Sequence, residues 1–255
     1  MNENATKENI TGALESMAEL VGPDDIFLFS WQGHGGDVED DDGDEKIINP
    51  QDEYDEVIYP HDTNSFIRDD ELDFYFSKIN AKGMCLIFDS CHSGGLIDRG
   101  NDLGRSVKNI GEKEIGILDV NDENRVIIMS TLPNTIDRAS FIFGSPLTLS
   151  LARAFNGKTK DKDQDGFISA EEAFKFARPR AIICSSLFWA GFWGSYYFFW
   201  LLSGTSYPGI KATLCFALIF FFGQFYTKTL TGHFFLNWPN MHDDYDGNLP
   251  ITKCK

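Results

Sequence analysis

The sequence predicts an α/β fold, a mostly parallel sheet flanked by helices, followed by a two-helix transmembrane hairpin. Three observations predict it. Over the first 180 residues, short apolar runs alternate with segments of helical periodicity, the pattern of strand–helix–strand units. Turn residues or charges lead each apolar run, as they do before buried strands. Beyond residue 180 the composition changes abruptly to two long apolar runs of bilayer-spanning length.

The elements follow in order. Ile10, Leu14, Met17 and Val21 recur at helical spacing, so residues 6–21 are expected to form an amphipathic helix. "DDIFLFSW" (24–31) reads as a buried strand. "DDELDFYFSKI" (69–79) reads as a second helix, with acids placed favourably in its first turn. "MCLIF" (84–88) and "RVIIMS" (125–130) are further buried strands, and "PLTLSLARAF" (146–155) opens with the proline that a helix start tolerates. Residues 181–203 carry no charge, and 210–227 carry only Lys211, at an end from which it can snorkel. Residues 181–227 are therefore expected to form a membrane hairpin, between a domain at 1–180 and a tail at 228–255. Lys175, Arg178, Arg180 and Lys228 flank the hairpin and place domain and tail on the cytoplasmic side.

Lys and Arg number 22 against 39 Asp and Glu, a net charge of −17. That excludes a nucleic-acid partner, which needs clustered bases, and suits cationic peptides or divalent cations. Asp37–Glu56 alone holds eleven acids and one lysine, which reads as a solvated loop or a metal-dependent one. The five cysteines form no CxxC pair, and "MNENATKENI" lacks the apolar core of a signal peptide. Cys91 is thus expected to be a reduced thiol rather than part of a disulfide framework.

Two strands end in chemistry. "IFLFSWQGHGG" runs into glycines around His34, and "LIFDSCHSGG" runs into Cys91. In a parallel unit both strands deliver their C-terminal ends to one sheet edge, so imidazole and thiol would meet there. His34 would take the proton of Cys91, the thiolate would attack a carbonyl, and the N–H groups of Gly35 and Cys91 would hold the oxyanion. His92, next to Cys91 in sequence, is expected to point away. Separately, "DKDQDGFISAEE" (161–172) places Asp161, Asp163 and Asp165 at loop positions 1, 3 and 5, glycine at 6, the Phe167 carbonyl at 7 and Glu172 at 12. That is the EF-hand pattern for calcium (Ca2+), here without a second hand to pair with.

"GHGG", "YDEVIYPHD", "IRDDEL" and "IFDSCHSGG" resemble, in order and spacing, the caspase-like cysteine peptidases, most closely the metacaspase and paracaspase-like branch. The resemblance covers about residues 5–178. It implies a caspase-like sheet, peptide substrates, and a primary pocket lined by Asp89, whose carboxylate would select Arg or Lys. It also implies an activating calcium site at Asp55, Asp69, Asp70 and Asp98, although Asp69 and Asp70 would equally serve to cap the helix they begin. The tail "NWPNMHDDYDGNLPIT" resembles the closing segment of prokaryotic members.

Two departures stand against this. Gln32 occupies a pocket position that the family fills with a small serine, where its bulk would narrow the site. The family's first strand, interior to its sheet, has no counterpart before "NATKENI", so unpaired backbone groups are expected there. The leading reading is a membrane-anchored, calcium-stimulated cysteine endopeptidase. The rival is a catalytically inactive, calcium-responsive membrane scaffold.

Overall fold

The computed structural model describes residues 3–39, 54–62, 65–91, 93, 124–131, 145–183, 239–245 and 247–254. Helix α1 (Lys7–Leu20) starts where Thr6 accepts the N–H of Asn9 through its side chain, supplying one of the partners that a helix start lacks. Strands β1 (Ile26–Gln32), β2 (His34–Glu39), β3 (Tyr54–Tyr59) and β4 (Ile67–Arg68) follow, then helix α2 (Asp69–Ser77). Strands β5 (Gly83–Asp89) and β6 (Arg125–Met129) precede helix α3 (Pro146–Arg153), which Ser145 caps. Strand β7 (Phe167–Ser169) leads into helix α4 (170–183), and the tail supplies β8 (Asn240–Asp243) and β9 (Pro250–Lys253).

The central sheet has the order β1-β5-β6-β8. β1, β5 and β6 are parallel, and β8 joins β6 antiparallel. The sheet is mixed and mostly parallel, as expected. Every residue of β5 and β6 is buried, because helices cover both faces. Leu14 of α1 and Leu72 and Phe76 of α2 pack on one face with Phe27, Trp31, Leu86, Phe88 and Ile127. On the other, Leu147 and Leu151 of α3 and Ala173 and Ala177 of α4 meet Cys85, Ile87, Val126 and Ile128.

Two expectations change. β1 is not buried on both sides: Leu28 is 44% exposed, and β1 lies at the sheet edge among the described residues, paired with β5 from Ile26↔Gly83 to Gln32↔Asp89. Finally Ala181, expected to open the membrane hairpin, is fully buried in the α4 face of the core. The rest of the hairpin (184–227) lies outside the described residues. No helix among the described residues is long and apolar enough to cross a membrane.

The tail is part of the domain. Leu249 is fully buried, and its N–H is accepted by the buried Glu171 carboxylate at 3.1 and 3.2 Å. A Cβ at Gly83 would lie 2.6 Å from the Leu249 and Tyr245 side chains, so the tail packs closely on β5 there. A buried ion pair, Arg125 with Asp73, ties β6 to α2.

Candidate active site

The parallel register sets Gln32 level with Asp89, and the Gly33 N–H reaches the Asp89 carbonyl at 3.3 Å. From this level the two chains part: β1 bends at Gly33 into β2, which His34 begins, while β5 turns through Ser90 and Cys91. They stay in contact. A Cβ at Gly35 would lie 2.3 Å from the Cys91 carbonyl oxygen and 2.8 Å from Ser90 Oγ. Backbone lies directly on backbone here, and glycine alone permits it. The Trp31 indole donates to the His34 carbonyl at 3.3 Å, holding the bend from the core side. His34 is exposed and Cys91 half-buried. Imidazole and thiol therefore belong to two segments packed against each other. His92 lies outside the described residues.

The turn carrying Cys91 hangs from β6. The Ser130 and Thr131 hydroxyls both donate to the Ser90 carbonyl, at 3.2 and 3.3 Å. Ser93 Oγ accepts the Thr131 N–H at 3.2 Å, and Asn240 of β8 donates its side-chain N–H to the Thr131 carbonyl at 2.7 Å. Sequence reasoning missed these five residues. The available signal was a serine/threonine cluster at the ends of two apolar strands, "DSCHS" and "MST".

Asp89 is 3% exposed. One carboxylate oxygen accepts the N–H of Thr148 in the first turn of α3, at 3.1 Å, and also the Thr148 hydroxyl. The other, Oδ1, is buried with no hydrogen-bond partner among the described residues. Gln32 is exposed.

Asp55, Asp69 and Asp70, matched to the expected family calcium site, lie on β3 and at the start of α2. Asp55 ion-pairs with Arg68 at 2.7 Å. Asp69 accepts the N–H of Asp70 at 3.1 Å, and Asp70 that of Glu71 at 2.6 Å, at the start of α2. Asp98 lies outside the described residues.

The loop 161–172 keeps its acids together. Oxygens of Asp161, Asp163 and Asp165 lie within 4.8 Å of one another, the one such group of three among the described residues. Gly166, at the sixth position, has φ 90°, the left-handed turn for which this position requires glycine. Glu172 is 4% exposed and accepts the N–H groups of Lys162 and Ser169. Burial acts to raise the Asp161 pKa, but the Gly166 and Gln164 N–H groups outweigh it and hold the carboxyl below its ordinary value of 3.8. An all-oxygen set of this kind fits a hard divalent cation such as calcium. Within the loop β7 pairs antiparallel with β9 of the tail, which is not a second hand. Asn248 also donates to Asp163 at 2.6 Å.

Residues 1–99 match the metacaspase, peptidase C14 domain. The matched segment holds His34, Gly35, Asp89 and Cys91. Metacaspase-1 of Candida albicans is 41% identical over 97 residues, 36% of this chain and 22% of the relative. Metacaspase-1 of Pyricularia oryzae is 43% identical over 97 residues, 36% of this chain and 23% of the relative. The chain thus spans under a quarter of the length of these relatives. Caspase-1 from Spodoptera frugiperda aligns over 99% of this chain and 73% of its own, with 15% identity and a TM-score of 0.48.

Proposed function

We propose that the protein is a membrane-anchored cysteine endopeptidase that cleaves after Arg or Lys and is stimulated by calcium. The observation that carries the reading is the contact of Gly35 with the Ser90–Cys91 backbone, which brings the His34 and Cys91 segments together. His34 accepts the Cys91 proton, and the thiolate attacks the scissile carbonyl. The Gly35 and Cys91 N–H groups hold the oxyanion. His34 then protonates the leaving amine, and water hydrolyses the thioester.

Asp89 supports the choice of substrate. A buried carboxylate oxygen left without a partner is costly, and a guanidinium or ammonium from the substrate would supply one. Calcium would be held by Asp161, Asp163, Asp165, Glu172 and the Phe167 carbonyl, where it would offset the clustered negative charge and stiffen the loop against β9. The apolar composition of 184–227 supports the anchor.

Fluorogenic arginyl and aspartyl peptides test the reading on full-length protein in detergent, with calcium and with chelator. Cleavage of the arginyl peptide alone, raised by calcium and cut about 100-fold by Asp89→Asn, is expected. Folded protein silent on both peptides would overturn it in favour of the inactive scaffold.

A further inference from the structure

The turn that carries Cys91 is supported from a segment more than a hundred residues away. Asn240 opens β8, opposite Met129 in the β6–β8 ladder, and is the first strand residue after 184–238. Its side chain is buried, 9% exposed for the residue, and donates to the Thr131 carbonyl at 2.7 Å. Thr131 is itself fully buried, and its hydroxyl donates to the Ser90 carbonyl. One relay of hydrogen bonds therefore runs from Asn240 through Thr131 to the residue that precedes the thiol.

The neighbours explain why the relay matters. The β6–β5 ladder closes with the Ser130 N–H on the Phe88 carbonyl, at 3.0 Å. Beyond this point the Ser90 carbonyl has left the sheet, and side-chain hydroxyls replace the strand partner it has lost. A carbonyl held by rotatable hydroxyls is fixed only as well as those hydroxyls are. Asn240 pins Thr131 through the Thr131 carbonyl. Asn240 Oδ1 has no hydrogen-bond partner among the described residues, so donation to Thr131 is the polar contact the structure gives this buried amide.

We infer that Asn240 is a positioning residue for the nucleophile: through Thr131 and Ser90 it fixes where the Cys91 thiol stands relative to His34. The inference rests on the reading of Cys91 as nucleophile, but alkylation tests it without peptide cleavage. It also gives the tail a role beyond completing the sheet, since removing one amide donor in β8 would be felt across the C-terminal end of β6, in the turn that follows β5.

Asn240→Asp keeps the shape and replaces the donor by an acceptor facing a carbonyl. Thr131→Val keeps the shape and removes the hydroxyl. The probe is iodoacetamide, with alkylation of Cys91 and Cys254 followed separately by peptide mass mapping from pH 5 to 10, about the range over which thiols titrate. Either substitution is expected to shift the pH midpoint of Cys91 alkylation and leave that of Cys254 in place. With the arginyl peptide, kcat is expected to fall about tenfold and KM to stay within about twofold. The double variant is expected to lose little more than either single one, because both break the same relay. An unchanged Cys91 profile in both single variants, with thermal unfolding confirming folded protein, would overturn the inference. So would fully additive losses. If Cys91→Ala retained cleavage, the peptidase reading would fall, while the alkylation profile would still decide the relay.

Discussion

Gly35→Ala tests the packing on which the site depends. The added Cβ would lie 2.3 Å from the Cys91 carbonyl oxygen, whereas ordinary contact begins at 3.4 Å, so the backbones must part by 3.4 − 2.3 = 1.1 Å. No rotamer relieves the clash, because the nearer atom is backbone, and Ser90 Oγ at 2.8 Å closes the adjacent direction. A displacement of about 1 Å between reacting groups costs on the order of 100-fold in rate. Overpacking of this kind costs the fold about 1–3 kcal/mol. The assay is kcat/KM on the arginyl peptide beside urea unfolding. Gly12→Ala serves as the control, since a Cβ there meets nothing within 4 Å and would leave cleavage unchanged. A Gly35→Ala protein that cleaves at the control rate would refute the packing of His34–Gly35 on Ser90–Cys91.

Two further perturbations read other parts of the molecule. Arg125→Met leaves the Asp73 carboxylate buried without its guanidinium and is expected to cost about 3–5 kcal/mol in urea unfolding; a loss below about 1 kcal/mol would show the pair to be unimportant. The Cys254 thiol is pushed above its ordinary value by desolvation and by the Asp161 charge, 3.7 Å away. A raised pKa means less reactive thiolate at a given pH. A cation in the loop would offset Asp161 and lower that pKa, so calcium is expected to speed Cys254 alkylation near pH 8. Asp161→Asn, which removes the same charge, is expected to do so without calcium. No calcium effect would argue against cation binding at 161–172. The buried Cys85 thiol, pushed up to about 12 by desolvation and by Glu171, is expected to stay unmodified throughout.

Local patterns made much of this legible in the sequence. The spacing Ile10–Leu14–Met17–Val21 gave α1 to within a residue at each end, because helical periodicity depends only on near neighbours. The apolar runs gave β5 and β6, and the glycines after β1 pointed to the bend at which His34 enters β2. Long-range pairing was less legible. Nothing in "IFLFSW" says that the strand will lie at the sheet edge among the described residues with Leu28 exposed, and nothing in "PITK" says that it will pair with the acidic loop. Register depends on partners distant in the chain. The supports of Cys91 were hidden for the same reason. Asn240, Thr131 and Ser90 are common polar residues, and their burial becomes visible only when β8 is seated beside β6. Asp55 shows the converse: its acidic motif gave the residue type, while Arg68, thirteen positions on, supplied its partner.

The central claim is that Cys91 is the nucleophile of a peptidase. Its most direct test is hydrolysis of the arginyl peptide in calcium by the full-length protein against Cys91→Ala, with both shown to be folded by thermal unfolding. The account predicts cleavage by the first and none above background by the second. Equal cleavage by both would contradict it.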